Sequence, residues 1–279
     1  MDDPFKKPEC VSATLPMANI LQKIRTAIEV DQLPIVISDW HLSAAWDKDL
    51  FTIDGISKLF NRFTQDENRT IKIRDQDNFI DKNIRLKEFL ERLSQEECPY
   101  YWKDEDRIPK AWDTFLMKLL PEELTFCGPF DLNKRFKDNP KVSSSNLMSY
   151  IGGHGSWTAC HFDHCGSIGH NIMTWADKDS SSLWYIASPK DYDKVKQLWG
   201  SWGKFLEQEN YSATLEEMMA SEITFYKVDQ KPGDLIVLPP MALHQVYNKG
   251  KATVKLAWNR ITPETALNAV QNVLPRYKE

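Results

Sequence analysis

Residues 155–163 read GSWTACHFD, and residues 232–248 read PGDLIVLPPMALHQVYN. In the first stretch His161 and Asp163 stand two positions apart, the spacing at which side chains leave the same face of a β-strand. An imidazole and a carboxylate so placed converge on one ion without help from a loop. The second stretch runs from a turn at Pro232, Gly233 and Asp234, through an apolar strand and a proline-stiffened approach, to His244. Two histidines and one carboxylate on one triangular face leave three positions open, the donor set of non-haem iron(II). Two blander readings stand beside this one. An HxD pair is often a surface His beside a surface Asp, and His164, Cys165 and His170 offer a zinc set with His161, although without the paired spacing of structural fingers.

Outward from these stretches, the chain from Leu147 onward breaks into short apolar or alternating runs split by Gly, Pro, Asn and Asp. They are Leu147–Ile151, Thr158–Phe162, Asn171–Trp175, Leu183–Ala187, Thr224–Val228, Asp234–Leu238, Gln245–Tyr247 and Ala252–Trp258. Eight such segments predict an antiparallel barrel or sandwich, whose interior holds one metal and one small ligand. A helix over Pro189–Trp199, and a shorter one over Leu215–Ala220, interrupt them. Gly152-Gly153-His154-Gly155 lets the chain bend before the metal strand.

The front half reads as helical. Met17–Val30 repeats Ile20, Ile24, Ala27 and Ile28 at helical spacing, and Thr52–Phe63, Ile84–Leu93 and Pro109–Leu120 follow. Leu33–Ile37 and Thr70–Arg74 read as strands, Gly128–Ser145 as a polar loop, and Asp104-Glu105-Asp106 as a solvated acidic run. No repeat or linker divides the chain. The expectation is one domain: a helical N-terminal region with a few strands (1–145), a β core (146–262) and a C-terminal helix (263–279).

Composition narrows the classes. The 279 residues are 42% hydrophobic and 27% charged, near the average for globular domains. A net charge of −5 gives no basic footprint for nucleic acid. There is no apolar run of membrane-spanning length and no secretory layout at Met1–Lys7, so no membrane role and no secretion are expected. Five scattered cysteines without a CxxC pair predict buried free thiols in a reducing compartment. Neither a phosphate-binding glycine loop nor a GxSxG elbow is present.

The ordered set of motifs resembles the JmjC family of Fe(II)/2-oxoglutarate-dependent oxygenases, within the cupin-like superfamily. Residues 155–163 look like that family's first metal strand, and 232–248 like its second. Ser182-Leu183-Trp184-Tyr185-Ile186 resembles the strand after the HxD motif, and Leu33–Ile37 the strand that opens many such domains. Tyr100-Tyr101-Trp102-Lys103-Asp104 is similar to an element of the histone demethylase branches. The resemblance implies a mainly β protein built on a double-stranded β-helix (jelly-roll) core that holds Fe(II) and 2-oxoglutarate and uses O2 on a C–H bond. It implies His161, Asp163 and His244 as metal ligands. It also implies Thr158, Asn171 and, more weakly, Asn259 near the cosubstrate, and Tyr150 in a methyl-lysine channel.

One position departs from the family. A lysine normally stands two residues before the Trp and pairs the far carboxylate of 2-oxoglutarate; here that position is Ser182. A buried carboxylate without a cation is costly. Lys255, on the strand after His244, is the candidate replacement, with neutral hydrogen bonds from Thr158, Ser182 and tyrosines as the other route. The expected function is a dioxygenase acting on a protein side chain, with histone methyl-lysine demethylation ahead of hydroxylation and nuclear or cytoplasmic residence. The alternative is a silent JmjC fold serving as a chromatin or protein-interaction module.

Overall fold

The computed structural model describes residues 3–64, 69–94, 98–106, 108–135 and 146–275. In the front half the strands are β1 (Glu9–Ser12), β2 (Ile35–Ser38), β3 (Thr70–Asp75), β4 (Ile80–Arg85) and β5 (Tyr100–Glu105). The back half supplies β6 (Leu147–Gly153), β7 (Trp157–His161), β8 (Ile168–Ala176) and β9 (Ser181–Ala187). It continues with β10 (Phe225–Gln230), β11 (Leu235–Leu238), β12 (Leu243–Lys249) and β13 (Ala252–Arg260). The α-helices are α1 (Met17–Arg25), α2 (Ile53–Thr64), α3 (Leu86–Leu93), α4 (Lys110–Leu119), α5 (Tyr192–Ser201), α6 (Leu215–Ala220) and α7 (Pro263–Asn268).

The eight back-half strands are the eight segments expected from the sequence, each within a few residues. They divide into two faces. One sheet has the order β10-β9-β12-β7; the other contains β11-β8-β13-β6 at its centre. Chain order crosses repeatedly between the faces, with β6, β8, β11 and β13 on one and β7, β9, β10 and β12 on the other, which is the path of a double-stranded β-helix. The front half widens the larger sheet on both sides, giving β1-β2-β11-β8-β13-β6-β5-β3-β4.

Alternation along the strands sorts the residues. On β13, Val254, Leu256 and Trp258 point outward into the main core, against Ile20, Ile24, Ile56, Phe89, Trp112 and Leu116 of α1 to α4. Thr253, Lys255, Ala257 and Asn259 take the opposite face, toward the barrel interior. Each fully buried aliphatic or aromatic side chain of that core contributes about 1.5–3 kcal/mol relative to exposure. A second cluster lies over the outside of the smaller sheet, where Val195, Trp199, Leu206 and Met218 cover Tyr185, Phe225 and Leu243. No helix among the described residues is long and apolar enough to cross a membrane.

Several boundaries differ from the sequence reading. The helix expected from Ile84 starts at Leu86, because Ile84 and Arg85 complete β4 against Ile71 and Thr70. β4 itself went unread, since an exposed edge strand of Asp, Lys, Asn and Arg carries no apolar alternation. Asp104 and Glu105 are not a solvated loop. They end β5, and buried Glu105 accepts the Trp102 indole N–H at 3.0 Å. A register shift between Trp102 and Glu105 marks a bulge there, with Asp104 at φ +55°. Of the cysteines, Cys98 and Cys160 are buried, but Cys10 and Cys165 are exposed, and all five are free thiols. The polar loop includes a 3-10 turn over Leu132–Arg135, while its part at 136–145 lies outside the described residues. Beyond α7 the chain adds a π-helical turn, Ala269–Val273, with 276–279 likewise outside.

Candidate metal centre

β7 and β12 are antiparallel neighbours, and their register sets His161 directly opposite His244. The two imidazole centroids are 4.2 Å apart. Asp163 is reached differently from the sequence expectation. β7 ends at His161, so the carboxylate stands just past the strand rather than on it. Phe162 turns outward to pack edge-on against Tyr192 at 5.7 Å, and the chain then enters a 3-10 turn over His164–Gly166 with Cys165 at φ +58°. The turn keeps Asp163 on the side of His161, and one donor atom each from His161, Asp163 and His244 all lie within 4.8 Å of one another.

Hydrogen bonds fix the tautomers of both histidines. His161 Nδ1 is 2.8 Å from the Ala159 carbonyl, and His244 Nδ1 is 3.0 Å from that of Ala242. A carbonyl only accepts, so each Nδ1 carries the proton and each Nε2 keeps a lone pair for an ion. Burial, and then the neighbouring His161, hold the His244 pKa well below the usual histidine range, which keeps the ring neutral and ligand-ready. Trp184 stacks on His244 with centroids 5.6 Å apart and an interplanar angle of 23°. On the far side, Gly169 makes room: a Cβ there would come within 2.1 Å of Asp163 Oδ2.

These groups open into one cavity, also lined by Tyr101, Tyr150, Thr158, Asn171, Lys255 and Asn259. The residues expected at the site therefore come together, with one exception. Ser182 is fully buried behind the cavity wall, where it accepts from Lys255 Nζ at 2.9 Å and donates to Asn248 Oδ1 at 2.6 Å. Lys255 Nζ also donates to Asn248 Oδ1 at 2.6 Å. Lys255 is 1% exposed and has no carboxylate partner among the described residues, and burial pulls its pKa down to about 7. The small serine gives the lysine from β13 the space that a lysine at 182 would fill.

Tyr101 is a cavity residue that the sequence reading quoted only within a motif. Its hydroxyl lies 3.2 Å from Thr158 Oγ1. Trp184, Gly169 and Asn248 were likewise not singled out, because nothing in an isolated Trp, Gly or Asn reports what its strand faces. At the mouth, Tyr150 donates to Asp104 Oδ1 at 2.8 Å, and the Tyr101 and Tyr150 rings stand 6.3 Å apart. The zinc alternative loses a ligand. His170 Nδ1 faces the Ile168 carbonyl at 3.1 Å, and its Nε2 accepts from Arg260 Nε at 3.2 Å, so neither nitrogen is free; Cys165 is exposed, and nothing is described of the His164 side chain.

The chain is similar in sequence to known proteins. The chain is 28% identical over 224 residues to C-module-binding factor A of Dictyostelium discoideum, a match that takes 78% of this chain and 22% of that protein. The chain thus spans about a fifth of the length of that relative. The family model described as "JmjC domain, hydroxylase" matches residues 148–259, almost the whole run from β6 to β13 that builds the barrel and its cavity. Residues 148–259 of this chain thus match the JmjC domain, a cupin-like domain whose core is the double-stranded β-helix.

Proposed function

We propose that this chain is an Fe(II)/2-oxoglutarate-dependent dioxygenase that acts on a protein side chain. The observation that carries the reading is Lys255: a buried amine with no anionic partner among the described residues, lining a cavity beside three convergent metal donors. An uncompensated buried cation costs several kcal/mol, and the far carboxylate of 2-oxoglutarate supplies the missing charge. Every polar group suited to that carboxylate, Lys255 Nζ, Tyr101 OH and Thr158 OH, is able to donate.

In this reading His161 Nε2, His244 Nε2 and the Asp163 carboxylate would hold the iron. Bound together, Fe(II) and 2-oxoglutarate supply the oxidising power, consuming O2, releasing succinate and CO2, and placing one oxygen atom in a substrate C–H bond. The protein's part is placement. Lys255 orients the cosubstrate, Leu238, Val246 and Trp184 exclude water, and Gly169 leaves Asp163 its position.

For the substrate, methyl-lysine stays ahead of a hydroxylation target. The paired tyrosines 101 and 150, with the Asp104 carboxylate at the mouth, suit a cationic side chain. A hydroxylated N-methyl group would then fall apart to formaldehyde and the amine. A histone tail is the proposed partner, and nuclear residence goes with it. Purified protein given Fe(II) should convert 2-oxoglutarate to succinate, even without a substrate, and His161→Ala should abolish the conversion. No turnover, together with no 2-oxoglutarate binding by calorimetry, would make the domain a silent interaction module instead.

A further inference from the structure

Behind the cavity wall lies a chain of hydrogen bonds whose polarity is forced. Trp184 Nε1 donates to Gln230 Oε1 at 2.9 Å. An indole N–H only donates, so the Gln230 oxygen must face Trp184 and its NH2 must face the other way. That NH2 is 3.1 Å from the Asn171 carbonyl, 3.2 Å from Asn171 Oδ1 and 3.1 Å from the Asp234 carbonyl. Two donor groups cannot face each other, so the Asn171 atom toward Gln230 must be oxygen. The Asn171 NH2 is then left on the opposite side, at the cavity that Asn171 lines, with no protein partner among the described residues. Carboxamide orientation is ordinarily a matter of choice, but here the indole decides it.

We propose that Gln230, through Trp184, is a positioning residue that locks Asn171 with its NH2 toward the metal cavity, making that wall a hydrogen-bond donor for an anionic ligand oxygen. Gln230 is fully buried at the end of β10, opposite Ser182 of β9, and does not itself line the cavity. Its partner Trp184 also stacks on the metal-side ring of His244, so one indole braces both a candidate metal ligand and the polarity of the wall. The identity of the anion as a 2-oxoglutarate carboxylate rests on the function proposed above; the orientation of Asn171 does not.

Two measurements test the proposal. The first is a neutron structure of the deuterated, metal-free protein. Two deuterons on the Asn171 atom facing the cavity are expected; two on the atom facing Gln230 would overturn the proposal whatever the ligand is. The second is a double-mutant cycle on 2-oxoglutarate affinity, measured by calorimetry on Mn(II)-loaded protein. Gln230→Met should weaken binding to the Mn(II)-saturated protein roughly two- to tenfold, the effect of unfreezing one side chain. Asn171→Ala should weaken it about tenfold or more, by removing a hydrogen bond to a charged group. Adding Gln230→Met to Asn171→Ala should then cost nothing further; an equal second loss would mean that Gln230 acts apart from Asn171. Should the wild type bind no 2-oxoglutarate, the function fails and the neutron map alone decides Asn171. If Gln230→Met does not fold, the neutron map again decides.

Discussion

Burial of Lys255 in the cavity wall carries a penalty that depends on pH. In the unfolded chain this amine keeps its proton up to its ordinary range near 10.5, while in the folded protein it loses it near 7. Between those values the unfolded state holds more protons, so this group's contribution to stability rises with pH from about 7 toward 10.5; below 7 it is flat at its least favourable. Lys255→Met should remove that slope and raise the melting temperature of the ligand-free protein at pH 7, since an apolar chain of similar length replaces an uncompensated charge. The same substitution should weaken 2-oxoglutarate binding by about 100-fold. In the wild type, binding should take up one proton above pH 7 and weaken as pH rises toward 9, approaching tenfold per unit. Calorimetry in buffers of different ionisation enthalpy reads the proton directly. Gly169 permits a second residue-scale prediction. A Cβ there meets Asp163 Oδ2 at 2.1 Å, so Gly169→Ala should push the carboxylate aside and reduce metal affinity about tenfold or more. Co(II) titration followed by absorbance measures this.

Among the elements, the barrel strands were legible because half of each faces a core, which writes turn-bounded apolar runs into the sequence at β6 to β13. β4 and β1 were not legible, since they gain their pairing from a neighbour rather than from their own pattern. The HxD pair was read correctly as a convergent pair but for a partly mistaken reason: His161 is the last residue of β7, and it is the turn after it that aims Asp163. Alternation along β13 groups Lys255 with Thr253, Ala257 and Asn259, but that this face is the inward one, and that Lys255 bonds Ser182 and Asn248, depends on two strands of the opposite sheet, which no local pattern reports. The segment covering the smaller sheet is latched by one side chain. Buried Gln245 of β12 accepts from Ala213 N at 2.9 Å and donates to the Ala213 carbonyl at 2.8 Å. Gln245→Ala should leave both backbone groups unsatisfied, cost about 2–4 kcal/mol in urea unfolding, and open the 203–220 segment to proteolysis before the barrel unfolds.

Across the whole molecule, the candidate metal ligands join parts of the chain that fold far apart in sequence, with β7 at 157–161 and β12 at 243–249. An ion that binds only the folded state stabilises it by mass action, about 2.7 kcal/mol at a concentration 100 times its Kd. For a chain of this size that corresponds to a rise of roughly 5 °C in Tm, to be measured by calorimetry with Mn(II), and absent in His244→Ala. Among the described residues β7 is the outermost strand of its sheet, paired on one side by β12. An edge strand frays first, and here the fraying strand carries His161 while its one neighbour carries His244. Metal held by these donors would therefore also be a rivet on a sheet margin. Chelation should then do more than remove a reagent: it should unfasten the border of the barrel, and metal content and the opening rate of the cavity should change together.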